Sequence, residues 1–134
     1  MRTIAIVQAR MGSTRFPNKV MRTIAGVPMI ELLLGRLSKA ERIDQIILAT
    51  TIDIRNQSLA NHVRKLGYEV FQGSENDVLD RYYQAAKPHQ PDTVVRITGD
   101  CPLIDPGLVD ECIDKFIRTG VDYLSTDPKT IPDG

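Results

Sequence analysis

The feature that most constrains this chain is a regular alternation of short apolar runs, each the length of a strand, with longer segments of helical periodicity. Residues 3–8, 45–50, 68–71, 93–98 and 122–125 are the strand candidates. Several are rich in Ile and Val with no polar alternation, the pattern of strands covered on both faces. Between them, Pro28 suits a first helical position, and Ile30, Leu33, Leu34 and Leu37 follow at helical spacing. A second helix is expected over residues 56–66, with Leu59, Val63 and Leu66 on one face and Gly67 as a left-handed cap. A third carries Leu79, Tyr82, Tyr83 and Ala86 and ends before Pro88, with the tyrosine pair read as core. A fourth runs from about Pro106 to Gly120, carries Val109, Cys112, Ile113 and Phe116, and is capped by Asp105. This order predicts an α/β fold: a Rossmann-like, mainly parallel sheet with helices on both faces.

The 134 residues make one domain of ordinary size. Residues 126–134 contain two prolines and end in Asp133 and Gly134. They read as a loop toward a further element, so a C-terminally truncated chain is expected. Lys plus Arg and Asp plus Glu both number 17, which leaves no net basic field and argues against nucleic acid as a partner. Cys101 and Cys112 have neither CxxC spacing nor a neighbouring His cluster, so free thiols in a reducing compartment are expected. No signal peptide or membrane span is apparent, which makes the cytoplasm the expected location. His62 and His89 read as surface residues.

The chemistry concentrates after the first strand, in residues 9–19. Arg10, Arg15 and Lys19 supply three cations, and Gly12, Ser13 and Thr14 are small enough to let backbone N–H groups face a ligand. In a doubly wound sheet this loop lies on the rim where ligands bind. Cations with exposed amides make a cradle for several phosphates. Two better-known phosphate motifs are absent. Gly12 has no GxGxxG partners, and Lys19 stands between Asn18 and Val20 where a P-loop needs Gly and Ser or Thr.

The fourth strand candidate ends in Thr98, Gly99 and Asp100. A carboxylate there can hold Mg²⁺ against phosphate oxygens, or it can simply form a turn beside glycine. Cys101, followed by Pro102, is a poor nucleophile candidate. After the third strand, Ser74 or Asn76 can cap the next helix, and Asp77 and Asp80 suit its first turn. Alternatively, Ser74, Asp77 and Arg81 line the nucleotide or sugar pocket. From the residues themselves, Arg10, Gly12, Ser13, Arg15 and Lys19 are the nucleotide-binding candidates, with Thr98 at the end of strand four and, on that alternative, Ser74, Asp77 and Arg81. Arg15, Lys19 and Asp100 are the catalytic candidates, and Asp100 is the candidate metal ligand.

The loop of residues 8–19 resembles the signature loop of cytidylyltransferases that activate sugar acids, the 3-deoxy-manno-octulosonate and acylneuraminate enzymes among them. Residues 73–82, 96–105, 122–125 and 132–134 are similar to the branch that serves spore coat polysaccharide biosynthesis. The resemblance implies a nucleotide-diphospho-sugar transferase fold, CTP and Mg²⁺ as ligands, and a sugar or sugar-acid substrate. It implies that Arg10, Arg15 and Lys19 hold the triphosphate, that Asp100 binds metal, and that Ala9 and Met11 lie near the base. Residues 1–134 would then be the nucleotide-binding portion of a longer, homodimeric enzyme. The octulosonate enzymes read Gln-Gly-Asp where this chain has Thr98, Gly99 and Asp100. A glycosyltransferase that uses a preformed nucleotide sugar is the rival enzymatic reading, although no Asp-x-Asp follows strand four. A non-catalytic nucleotide-binding module is the rival from another class.

Overall fold

A computed structural model of the chain describes residues 2–11, 21–99 and 102–121. Among the described residues, four parallel strands form the main sheet: β1 (Thr3–Gln8), β4 (Gln45–Thr51), β5 (Glu69–Gly73) and β6 (Thr93–Thr98). Their order is β5-β4-β1-β6. The expected strand at 122–125 lies outside the described residues. β1 is central, and its residues Ile4 to Val7 are fully buried. An uninterrupted apolar run is what such a position demands, because both faces and both edges are covered.

The two faces divide the side chains by pleat. Ala5, Val7, Leu48 and Ile97 point into one core with Ile30, Leu33, Leu34 and Leu37 of α1 (Met29–Leu37) and Leu59 and Val63 of α2 (Gln57–Lys65). Val109 of α4 (Pro106–Thr119) packs at the margin of this core. Ile4, Ile6, Ile47 and Ala49 point the other way, against Tyr82 and Ala85 of α3 (Val78–Ala86). The parallel α/β sheet with helices on both faces is thus as the sequence indicates. The direction of winding reverses between β1 and β6, because β4 and β5 add on one side of β1 and β6 on the other. That reversal creates the crevice where ligands bind in such folds.

Several local details differ from expectation. Residues 23–28 form a small hairpin that the sequence pattern does not announce: β2 (Thr23–Ile24) pairs antiparallel with β3 (Val27–Pro28). Ala25 and Gly26 turn it with φ of 52° and 84°. Such a turn favours Asn-Gly, so Ala25 conceals it. Pro28 is consequently the cap before α1 and not its first residue. Asp77, and neither Ser74 nor Asn76, caps α3 by accepting from the Asp80 N–H at 2.9 Å. Tyr82 is core, but Tyr83 is 58% exposed and Leu79 72% exposed. The helix turns its Tyr82 and Ala85 row inward and leaves the adjoining row in solvent. His89 is largely buried, and its Nε2 lies 2.7 Å from a Glu69 carboxylate oxygen. By contrast, α4 begins at Pro106 behind Asp105 and ends at Gly120, whose φ is 68°. Cys112, on α4, is a free thiol. No helix among the described residues is long and apolar enough to cross a membrane.

Candidate functional site

The carboxyl ends of the four strands converge on one rim, and the predicted residues distribute around it. β1 and β6 run in register, with Gln8 opposite Thr98. The Gly99 N–H extends the ladder by donating to the Gln8 carbonyl at 2.7 Å. Gly99 has to be glycine here, because a Cβ would stand 2.7 Å from Ala9 Cβ and 2.9 Å from the Gln8 carbonyl oxygen. This contact brings the chain leading to Asp100 alongside the chain leading into the cationic loop. Gly12, Ser13, Arg15, Lys19 and Asp100 themselves lie outside the described residues.

Ala9 is buried, and its N–H donates to the Ala49 carbonyl at 3.2 Å. Arg10 then points outward with its side chain about half exposed. One of its terminal nitrogens lies 3.6 Å from Glu75 Oε1, and the same oxygen lies 3.9 Å from Arg55. Glu75 thus faces two guanidinium groups. Arg55 is further held by both carboxylate oxygens of Asp53, each at 2.9 Å. The side-chain hydrogen bonds from Arg55 hold the Asp53 carboxyl at a pKa of about 2, and the Arg55 backbone N–H reinforces the shift. Neither Glu75 nor Arg55 is evident from the sequence, because a partnership among the loops after β1, β4 and β5 leaves no local signature.

Arg81 is buried and bonds inward to its own loop. Its Nε donates to the Ser74 carbonyl at 2.9 Å and an Nη donates to the Glu75 carbonyl at 3.1 Å. Ser74 Oγ accepts from the Asp77 N–H at 3.2 Å. Ser74, Asp77 and Arg81 therefore shape the turn that presents Glu75 to Arg10. Thr98 is exposed at the end of β6 on the face that carries α3. Met11 is half-buried, and its N–H donates to Asn56 Oδ1 at 2.6 Å. No group of three or more His, Cys, Asp or Glu side chains among the described residues could hold a metal ion. A hollow of about 510 Å³ beside Leu37, Asp44 and Tyr68 lies at the opposite, amino-terminal end of the strands and is separate from this rim.

The cytidylyltransferase family model matches residues 4–133, which is nearly the whole chain. The chain belongs to the cytidylyltransferase family. It is 44% identical over 126 residues to an uncharacterized protein of Methanocaldococcus jannaschii, covering 94% of this chain and 52% of that protein. It is 37% identical over 122 residues to the spore coat polysaccharide biosynthesis protein SpsF of Bacillus subtilis, covering 88% and 51%. Its fold matches that of a cytidylyltransferase from Leptospira borgpetersenii with a TM-score of 0.83 at 36% identity, covering 88% of this chain and 50% of that one. The chain spans about half the length of the relatives it matches. The family match agrees with the family read from residues 8–19 and 96–105.

Proposed function

We propose that this chain is the nucleotide-binding part of a cytidylyltransferase that joins CTP to a sugar or sugar acid and releases pyrophosphate, in surface polysaccharide biosynthesis. The observation that carries this reading is the adjacency of β1 and β6 at the winding reversal of a cytidylyltransferase-family chain. It sets the start of the cationic loop and the residue before Asp100 against each other. In the proposed reaction a sugar hydroxyl attacks the α-phosphorus, a new P–O bond forms, and the bond to pyrophosphate breaks. Positioning and charge neutralisation account for most of the catalysis in such transfers. Arg10, Arg15 and Lys19 hold the triphosphate, and Arg15 and Lys19 stabilise the departing pyrophosphate. Asp100 and phosphate oxygens together offer the all-oxygen donor set that Mg²⁺ prefers. When bound, the ion would neutralise phosphate charge.

The preference for cytidine and the sugar-acid substrate rest on family membership. The polysaccharide role rests on the name of the Bacillus subtilis relative. A cytoplasmic homodimer belongs to the same proposal. The test is a melting-temperature screen of the four nucleoside triphosphates with and without Mg²⁺, followed by assay of pyrophosphate release. At one hundred times its dissociation constant, a ligand stabilises the folded state by about 2.7 kcal/mol. CTP with Mg²⁺ should give the largest shift. Lys19→Ala should abolish that shift while leaving the unliganded melting temperature within a few degrees. Unchanged CTP affinity in Lys19→Ala would overturn the reading, and binding without pyrophosphate release would favour a non-catalytic nucleotide module.

A further inference from the structure

The chain leaves the sheet after β1 in an unusual way. The Ala9 N–H makes the last ladder bond to β4, at the Ala49 carbonyl. By the parity of a parallel ladder, the next donor on that edge is the Met11 N–H, and its regular partner would be the Thr51 carbonyl. It goes instead to a side chain, Asn56 Oδ1, at 2.6 Å. Asn56 is 1% exposed, at the end of a 3₁₀ turn (Ile54–Asn56) that follows β4. Its Nδ2 donates to Thr51 Oγ1, which also accepts the Asp53 N–H at 3.2 Å. Thr51 is fully buried. The hydroxyl on one side and the amide N–H on the other fix which end of the Asn56 amide faces Met11. A buried donor left without a partner costs about 1–3 kcal/mol, so the arrangement is strongly favoured.

We infer that Asn56 is a positioning residue for the nucleotide loop. Its carboxamide takes the place of a strand carbonyl and sets where Arg10 and Met11 turn away from β4. The inference rests on the cytidylyltransferase reading. Among the described residues of the nucleotide loop, Asn56 bonds to Met11, and it acts on phosphate through the loop and not by contact. Thr51, one link further back, acts by holding the amide.

The test uses the full-length protein and compares Asn56→Ala, Thr51→Val and the double variant with the parent. Affinity for CTP is measured by calorimetry well below each melting temperature, which is recorded separately. Asn56→Ala should weaken CTP by about ten-fold or more, because small displacements of a binding group are costly in such sites. Thr51→Val is nearly isosteric and retains the core. It should weaken CTP by at least about three-fold although it touches no ligand. The double variant should bind no more weakly than Asn56→Ala alone, since both changes release the same amide. CTP binding at the parent level in Asn56→Ala, whatever its melting temperature, would overturn the inference, as would additive losses in the double variant. If Asn56→Ala does not fold, parent-level affinity in Thr51→Val overturns it alone. A parent protein that binds no nucleoside triphosphate would instead overturn the reading beneath it.

Discussion

Replacing Gly99 with alanine should damage both the sheet and the nucleotide site, and its cost follows from the contacts at the end of β6. The new methyl would lie 2.7 Å from Ala9 Cβ and 2.9 Å from the Gln8 carbonyl oxygen. Ordinary carbon–carbon contacts fall near 3.5–4.0 Å, so the first contact is about 1 Å too short. Neither neighbour can rotate away, because one is a Cβ and the other a main-chain oxygen. The carboxyl ends of β1 and β6 must separate, and the Gly99 N–H bond to Gln8, now 2.7 Å, stretches or breaks. Overpacking together with one lost hydrogen bond amounts to about 2–4 kcal/mol. That is roughly a 30- to 900-fold fall in the ratio of folded to unfolded protein. Urea unfolding should show it as a lower midpoint at unchanged slope. Ala9→Gly in the same chain removes the 2.7 Å contact and leaves the 2.9 Å one, so it should recover only part of the loss. CTP affinity should fall in Gly99→Ala and return in step with stability in the pair. A change below about 0.5 kcal/mol in Gly99→Ala, the scale of an unremarkable surface substitution, or no recovery with Ala9→Gly, would refute the reasoning.

Two further outcomes are expected. Arg81→Ala removes the donors to the Ser74 and Glu75 carbonyls and empties a fully buried volume. It should cost about 3–5 kcal/mol in urea unfolding, whereas loss of CTP binding with unchanged stability would show that Arg81 serves the ligand directly. The Asp53 carboxyl should stay ionised to about pH 2, because Arg55 donates to it from side chain and backbone. Its folded pKa lies below the usual 3.8, so the stabilisation it gives is present above that value and lost as pH falls through about 2. An NMR titration should show the depression, and Arg55→Ala should return the carboxyl toward the ordinary range.

The parts of the fold legible in the sequence are those where one physical demand dominates. The sequence bounds β1 as observed because a strand covered on both faces tolerates little but apolar residues, and it bounds β6, exposed at Val94, Arg96 and Thr98, because Thr93–Thr98 is an almost entirely β-branched run. α4 was bounded as observed because Asp105 and Gly120 are strong caps at its two ends. α3 was harder to read, since Ser74, Asn76 and Asp77 can all cap a helix and only the path of the preceding loop selects Asp77. Its spacing places Leu79 and Tyr83 with Tyr82, yet both are exposed, because α3 carries one more hydrophobic column than the sheet covers. At the rim, the sequence marks Arg10 by its place after a strand. It gives no sign that Glu75 faces it or that Asn56 is buried beneath Met11, because both partners come from turns distant in the chain. A single Asn in a polar turn looks like any solvated turn residue.

The enclosure of β1 bears on how the rim can respond to a ligand. Strands at the border of a sheet fray first, and in this one both borders stand between solvent and Ile6. Arg10 is therefore launched from a fixed origin. Shifting that origin requires β1 to part from β4 or from β6, its two hydrogen-bonded neighbours.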